Sequence, residues 1–172
     1  MNLLEMHQKN HGELEKILQE GREPKLEDLA DKRFKGVNTP WYTRILGIKK
    51  FMKGFEWKDK DGKRLLEGYN IPVKQNGLSK PWIPKPSPEK PKRFGFFLVL
   101  PSSEHQSALY PNSVLLDYSQ GENPWYEPAK LLRDYLVEVC PPPTPLYLGK
   151  AYLSMGIKIY VSYFILELES MD

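Results

Sequence analysis

The chain has 172 residues, a net charge of +3 and a single cysteine, Cys140. This length suits one ordinary domain, and one cysteine excludes both an intramolecular disulfide and a zinc site made of thiolates. The longest apolar runs, such as residues 96–100, are much shorter than a transmembrane helix, and residues 1–20 carry too many charges for a signal peptide. We therefore expect a single domain over residues 1–172, without a transmembrane segment and located in the cytoplasm.

The N-terminal portion, residues 1–54, is predicted to be helical. Asn2 is a helix cap, and Glu5 stands three residues later, where it completes a capping box. Thr39 followed by Pro40 is a second start signal, ahead of apolar residues spaced by three and four. These apolar residues are Trp41, Ile45, Ile48 and Met52.

From residue 55 onwards the apolar pattern changes to a period of two, which is typical of strands. Turn residues at 59–62 indicate a hairpin, and residues 79–92, with five prolines, are predicted to form an extended loop without a helix. Further strands are predicted at residues 94–100, 113–118, 131–139, 146–153 and 157–168. The fold class is therefore mainly β (α+β): an antiparallel meander β-barrel of about seven or more strands, residues 55–172, with N-terminal helices.

Alternate residues of a barrel strand face the interior, where a charged side chain is an informative exception. The strand at residues 131–139 has Arg133 and Tyr135 on its more apolar face, so we predict that Arg133 points into the barrel. Tyr118 and Tyr163 lie on the corresponding faces of two other strands. A guanidinium group beside phenols is suited to the carboxylate or another anionic head group of an apolar ligand.

A surface ion pair is the alternative for Arg133, since arginine is rarely buried without a partner. Asp117 or Glu138 would then be the partner acid. In that arrangement, a ligand-binding function for the barrel interior rests on fold analogy alone.

Three stretches in the C-terminal part of the chain resemble a known class of barrels. They are Arg133-Asp134, Tyr147-Leu148-Gly149-Lys150 and Tyr163-Phe164-Ile165-Leu166-Glu167. These stretches resemble the C-terminal half of uncharacterised bacterial small β-barrel proteins with a lipocalin-like or fatty-acid-binding-protein-like fold. Fatty-acid-binding proteins grip the ligand carboxylate with an Arg-x-Tyr motif, to which Arg133-x-Tyr135 is similar. The resemblance implies that a small amphipathic or anionic hydrophobic ligand is held inside the barrel.

Positive charge is concentrated in the middle of the chain, where residues 43–93 carry 14 Lys and Arg against 5 Asp and Glu. Such an excess indicates either solvated loops or a patch that faces an anionic partner. The alternative function is therefore a protein-interaction module that uses the basic, proline-rich segment 79–93. Nucleic acid is disfavoured as a partner because no RNA- or DNA-binding motif is present.

We predict no catalytic residue, no metal ligand and no cofactor. His7 and His11 are four residues apart, but no third ligand is evident nearby and a solvated helix face explains them. The sequence has no nucleophile elbow, phosphate-binding loop or dinucleotide fingerprint. An enzyme that uses Asp134 or Glu138 as a general base is the third hypothesis, after the ligand carrier and the interaction module.

Overall fold

Eight antiparallel strands form a closed barrel in the computed structural model, which describes residues 1–39, 47–107 and 109–169. Each strand pairs with the next along the chain, and the last pairs with the first, so that Phe34 lies opposite Leu168. The strands are β1 (Arg33–Asn38), β2 (Lys50–Lys60), β3 (Lys63–Pro72), β4 (Phe94–Leu100), β5 (Val114–Asp117), β6 (Leu132–Cys140), β7 (Leu146–Ser154) and β8 (Lys158–Leu168). The predicted antiparallel meander barrel is confirmed.

The turn between β2 and β3 shows how the sequence sets the register of the barrel. Asp61 and Gly62 have φ angles of 51° and 73°. Two successive residues with positive φ are what a tight two-residue hairpin requires, and Asp-Gly adopts that conformation readily. The predicted hairpin is confirmed, and the strands predicted from residue 94 onwards agree with β4 to β8 to within one or two residues.

The helical N-terminal portion is shorter than the predicted residues 1–54. It comprises α1 (Leu3–His7), α2 (His11–Glu20) and α3 (Leu26–Leu29). Strand β1 follows, and the predicted helix that starts at Thr39 is wrong over residues 47–54, most of which belong to β2. Trp41 and Ile45 of that predicted helix lie outside the described residues.

Alternation explains why the beginning of β2 is a strand. Phe51, Lys53 and Phe55 face the barrel interior, while Gly54 faces outward beneath the ring of Tyr69 on β3. Aromatic side chains pack well on a pleated sheet, and a cross-strand ring shields the exposed backbone of a glycine. Packing against the rest of the barrel therefore outweighs the local helical spacing.

Helices α1 and α2 cover part of the outside of the barrel. The predicted capping box of Asn2 and Glu5 is present, and a second box, formed by Asn10 and Glu13, starts α2. The two helices lie against β1, β6, β7 and β8. Their contact is an apolar cluster that includes Leu3, Met6, Leu14, Leu18, Val37, Leu148 and Ile165. The middle of β6 and of β8, and most of β7, are therefore buried on both faces.

Aromatic rings fill the interior towards the end of the barrel at which β1 begins. Phe55 contacts Phe34 and Phe97 edge to face, with ring centroids 5.6 and 5.7 Å apart. Leu29 and Ala30, at the end of α3, belong to the same core cluster. Helix α3 therefore packs against this core from the end at which the chain enters the barrel.

Four connections lie at the other end of the barrel, which we call the open end. Alternate connections of an up-and-down barrel share an end, so the open end carries the connections that follow β1, β3, β5 and β7. Their described residues are 39, 47–49, 73–93, 118–131 and 155–157. No helix occurs in the predicted extended loop at residues 79–92, all of which are described, so that prediction is confirmed.

A buried lysine, Lys50, fixes part of this proline-rich connection to the barrel wall. Its ammonium group donates hydrogen bonds to the carbonyl oxygens of Lys80 and Pro81, at 2.8 and 3.1 Å. It also lies 3.9 Å from the centroid of the Trp82 ring, a cation–π distance. Lys50 and Trp82 therefore hold the first half of the connection in place.

Candidate functional site

The open end of the barrel contains a cavity of about 140 Å³. Its walls come from seven of the eight strands, all except β5, and from the two connections that follow β1 and β5. The lining residues are Asn38, Ile48, Phe51, Lys53, Asn70, Phe94, Tyr118, Ala129, Leu132, Asp134, Ala151, Val161, Ser162 and Phe164. Most of these side chains are apolar, and the polar ones include a small group formed by β2, β3, β6 and the residue that follows β5.

That polar group is organised around the ammonium of Lys53. Lys53 Nζ donates hydrogen bonds to Asn70 Oδ1 at 2.8 Å and to the Tyr118 hydroxyl at 2.6 Å. The Tyr118 hydroxyl donates in turn to Asp134 Oδ2 at 3.1 Å, and Lys53 Nζ lies 3.8 Å from the same carboxylate oxygen. The side chains of Lys53 and Asp134 are only 3% and 4% exposed. The cavity thus holds an ion pair that is almost completely removed from water.

Aromatic rings surround the charged end of Lys53 on its remaining sides. The ammonium lies 4.8 Å from the ring centroid of Phe97, 5.2 Å from that of Phe164 and 5.5 Å from that of Phe51. Ring faces carry partial negative charge, so they attract a cation that has lost its water. The apolar walls therefore help to keep a positive charge in the barrel.

Burial shifts the pKa of both members of the pair towards their neutral forms. Desolvation lowers the pKa of Lys53 to about 8, although the charge of Asp134 acts in the opposite direction. Desolvation also raises the pKa of Asp134 to about 6, against the effects of Lys53 and the Tyr118 hydrogen bond. Burial therefore makes it harder for both groups to hold a charge, and their mutual attraction opposes this effect.

One oxygen of this pair has no hydrogen-bond partner among the described residues. Asp134 Oδ1 is buried and accepts no hydrogen bond from any described residue. A buried acceptor without a donor costs free energy, so it favours any molecule in the cavity that brings an N–H or O–H group. Lys53 has one N–H left after its hydrogen bonds to Asn70 and Tyr118. The polar group therefore combines one donor of Lys53 with one acceptor of Asp134.

Of the four residues predicted to bind a ligand, Tyr118 lines this cavity. The predicted inward orientation of Arg133 is wrong. Its Nε pairs with Asp117 Oδ1 at 3.0 Å, and its Nη1 donates to the carbonyl oxygens of Lys130 and Leu132. Arg133 therefore adopts the alternative arrangement, an ion pair with Asp117.

Tyr135 and Tyr163 are buried on the outer side of the barrel wall. Tyr135 accepts a hydrogen bond from Lys158 Nζ at 2.6 Å. Tyr163 donates to the carboxylate of Glu15 on α2, which also pairs with Lys150 Nζ at 2.6 Å. These contacts lower the pKa of Glu15 to about 2, despite an opposing effect of burial. The cluster attaches α2 to β7 and β8 and does not reach the cavity.

Sequence reasoning missed Lys53 and Asn70 as site residues. Lys53 satisfies the criterion that was applied to Arg133, a single charge on an otherwise apolar face, because Phe51 and Phe55 flank it at a period of two. The helix predicted from Thr39 onwards extends over this stretch, and its spacing conceals the alternation. Asn70 carries no comparable signal, since polar residues at strand ends are common.

The donor set of the site suits hydrogen bonding better than metal binding. Within the described part of the chain, no group of three or more His, Cys, Asp and Glu side chains is placed to hold a metal ion. Asp134 is the one acid among the lining residues. His7 and His11, considered earlier as a pair of ligands, belong to two different helices.

Comparisons with protein-family models, curated proteins and solved structures found no match to this chain. Among the described helices, none is long and apolar enough to cross a membrane.

Proposed function

We propose that the barrel binds a small amphipathic molecule in the cavity at its open end. The apolar part of the ligand would lie against Phe51 and Phe164, and its polar group between Lys53 and Asp134. The observation that carries the proposal is the unpartnered Asp134 Oδ1, which is buried beside a donating ammonium group in a cavity with apolar walls. Pockets for small ligands combine these features, with mostly apolar walls and a few convergent polar groups.

The volume of the cavity limits the size of the ligand. A value near 140 Å³ is close to the roughly 150 Å³ of an engineered apolar cavity that holds benzene. It lies below the roughly 300 to 1,000 Å³ of pockets that enclose drug-sized molecules. One ring with a polar substituent fits inside, and a longer acyl chain would extend through the open end.

The ion pair determines which polar group is preferred. Near pH 7, a neutral group with both a donor and an acceptor, such as an amide, matches Asp134 Oδ1 and Lys53 together. A carboxylate ligand is repelled by ionised Asp134, so its binding should strengthen as the pH falls below about 6, the pKa of that carboxyl. The proposal therefore includes anionic hydrophobic ligands, which should bind more tightly at lower pH.

This use of the interior is the one implied by the resemblance to lipocalin-like and fatty-acid-binding-protein-like barrels of bacteria. The anchoring residue differs, because Lys53 takes the place proposed for Arg133. A cytoplasmic location is part of the same proposal and agrees with the single cysteine of the chain.

The test is a binding titration with benzamide, benzoate and benzene, together with native mass spectrometry of the freshly purified protein. At pH 7 we expect benzamide to bind more tightly than benzene. Lys53→Met should weaken benzamide binding by roughly tenfold to a hundredfold, since a hydrogen bond to a charged group contributes about 1.5 to 3 kcal/mol. Ala151→Leu, which fills the cavity and leaves the ion pair in place, should abolish binding.

Arg133→Met is the matched control, because it removes a cation that lies outside the cavity. We expect its affinity for benzamide to equal that of the unsubstituted protein. A loss of affinity in Arg133→Met, or full affinity in Ala151→Leu, would show that the ligand binds elsewhere.

A further inference from the structure

Most of the large apolar side chains that are exposed in the described part of the chain lie at the open end of the barrel. Among the described residues, eight of the eleven such side chains lie on the four connections at this end or within two residues of them. The most exposed are Trp125 at 88%, Ile157 at 69%, Tyr126 at 68% and Met155 at 61%. Isolated apolar residues on a surface are ordinary, whereas a concentration of them at one end indicates a contact surface.

Two aromatic side chains characterise this surface. Trp125 and Tyr126 are adjacent in the connection between β5 and β6, and their rings contact each other with centroids 5.8 Å apart. They therefore project together into solvent. Tryptophan and tyrosine are enriched where a membrane meets water, because each combines an apolar ring with a polar group.

Positive charge accompanies the apolar residues at the open end. The connection at residues 73–93 carries five exposed lysines, at positions 74, 80, 85, 90 and 92, against one acid, Glu89. Another connection at this end carries two acids, Glu122 and Glu127, so the excess of positive charge comes mainly from the proline-rich segment. A protein that carries exposed lysines and exposed aromatic residues on connections of the same end complements a surface that is both apolar and negatively charged.

We propose that the open end docks on the surface of an anionic lipid bilayer. Trp125, Tyr126, Met155 and Ile157 would enter the boundary between head groups and acyl chains, while the lysines of residues 73–93 contact acidic head groups. The cavity opens at the same end. Docking would therefore place its opening at the bilayer, and an amphipathic ligand would pass between membrane and barrel without crossing water.

The experiment measures co-sedimentation of the full chain with two kinds of vesicle, phosphatidylcholine alone and phosphatidylcholine mixed with phosphatidylserine. We expect binding to the mixed vesicles that weakens as salt is raised, because exposed charges are screened. The variant Trp125→Ser/Tyr126→Ser/Ile157→Ser should bind at least roughly tenfold less tightly, since it loses the apolar area that the bilayer buries. Lys85→Glu/Lys90→Glu should lose a similar factor on the mixed vesicles alone.

Leu109→Ser is the matched control, because Leu109 is 56% exposed but belongs to a connection at the opposite end. It should bind vesicles as the unsubstituted protein does. Ala151→Leu, with its cavity filled, should also bind vesicles normally, so failure of the ligand proposal and failure of this one are distinguishable.

Three results would overturn the proposal. The first is an absence of vesicle binding by the unsubstituted protein, and the second is equal binding by the three-residue serine variant. The third is a concentration-dependent dimer, detected by analytical ultracentrifugation, that the same serine substitutions abolish. That result would assign the apolar surface to a second copy of this chain.

Discussion

Burying Lys53 beside Asp134 gives the fold little net stability. The attraction between two charges in an apolar interior seldom exceeds the cost of removing both from water, and aliphatic side chains of similar volume often replace such pairs without loss. The two charged atoms lie 3.8 Å apart, farther than in a direct hydrogen bond. No donor in the described part of the chain reaches Asp134 Oδ1. Stability therefore does not explain why the pair is buried, whereas the proposed binding of a ligand does.

Substitution of the pair tests this argument. Lys53→Met alone should lower the free energy of unfolding at pH 7 by about 3 to 5 kcal/mol, because Asp134 is left as an unpaired buried charge. Lys53→Met/Asp134→Leu should recover most or all of that loss. Urea unfolding of the three proteins measures both effects. A double variant as unstable as the single one would mean that the ion pair is itself a main source of stability.

Site residues can be predicted from the sequence only where it shows which face of a strand points into the barrel. Residues 132–138 alternate between two faces, and both are apolar because α2 covers the outer one. Sequence alone therefore could not decide whether Arg133 or Asp134 faces the interior. Tyr118 was placed correctly because the face that it shares with Leu116 is clearly the more apolar. Where helices cover the outside of a strand, its outer face is also apolar. The difference in polarity that distinguishes the inner face from the outer face is then lost.

At the level of elements, three pairs of neighbouring strands are fitted together by glycines opposite phenylalanines. Gly36 faces Phe51, Gly68 faces Phe97 and Gly149 faces Phe164. In each pair the ring lies where the Cβ of any other residue would be, at 2.1 to 2.4 Å from that position. The rings can therefore lie across the inner wall, and two of them, Phe51 and Phe164, form the walls of the cavity.

Gly149→Ala should consequently disturb both the fold and the cavity. The added methyl group would meet Phe164 at 2.1 Å from its ring atoms, so the ring must move. We expect a loss of about 1 to 3 kcal/mol in the free energy of unfolding, the usual cost of overpacking, and weaker benzamide binding. Gly77→Ala is the control, since its nearest contact is 3.9 Å away. Equal stability of the two variants in urea would contradict this account.

The strands and the helices were not equally predictable. From β4 to β8, alternation and turn residues indicate the same strands, and these five predicted strands match the observed ones to within one residue. Around Thr39 a good helix start signal precedes residues that alternate once they enter β2, so the local signal and the tertiary pairing disagree. Strand β1 shows no apolar alternation, because its inward positions are Phe34, Gly36 and Asn38. Its pairing with β8 also joins segments more than a hundred residues apart.

For the whole molecule, the buried carboxyl group of Asp134 and the half-buried one of Glu15 make the free energy of unfolding depend on pH in opposite directions. The pKa of Asp134 is raised from 3.8 to about 6, so between these values the folded protein holds a proton that the unfolded chain has released. The pKa of Glu15 is lowered from 4.5 to about 2, so between these values the unfolded chain holds the extra proton. Acid therefore stabilises the fold through Asp134 and destabilises it through Glu15.

Unfolding in urea between pH 3 and pH 7 separates the two groups. From pH 6 down to pH 4, the unsubstituted protein should gain about 2 kcal/mol relative to Lys53→Met/Asp134→Leu, because one extra bound proton changes the free energy of unfolding by at most about 1.4 kcal/mol per pH unit. Below pH 4.5, its advantage over Glu15→Gln should shrink, by about 1 to 2 kcal/mol in all, since a quarter of the Glu15 side chain is exposed to screening solvent. Differences that stay constant across this range would mean that neither carboxyl has the environment described. If only the difference from Lys53→Met/Asp134→Leu changes with pH, the contacts of Glu15 with Lys150 and Tyr163 do not hold α2 on the barrel in solution.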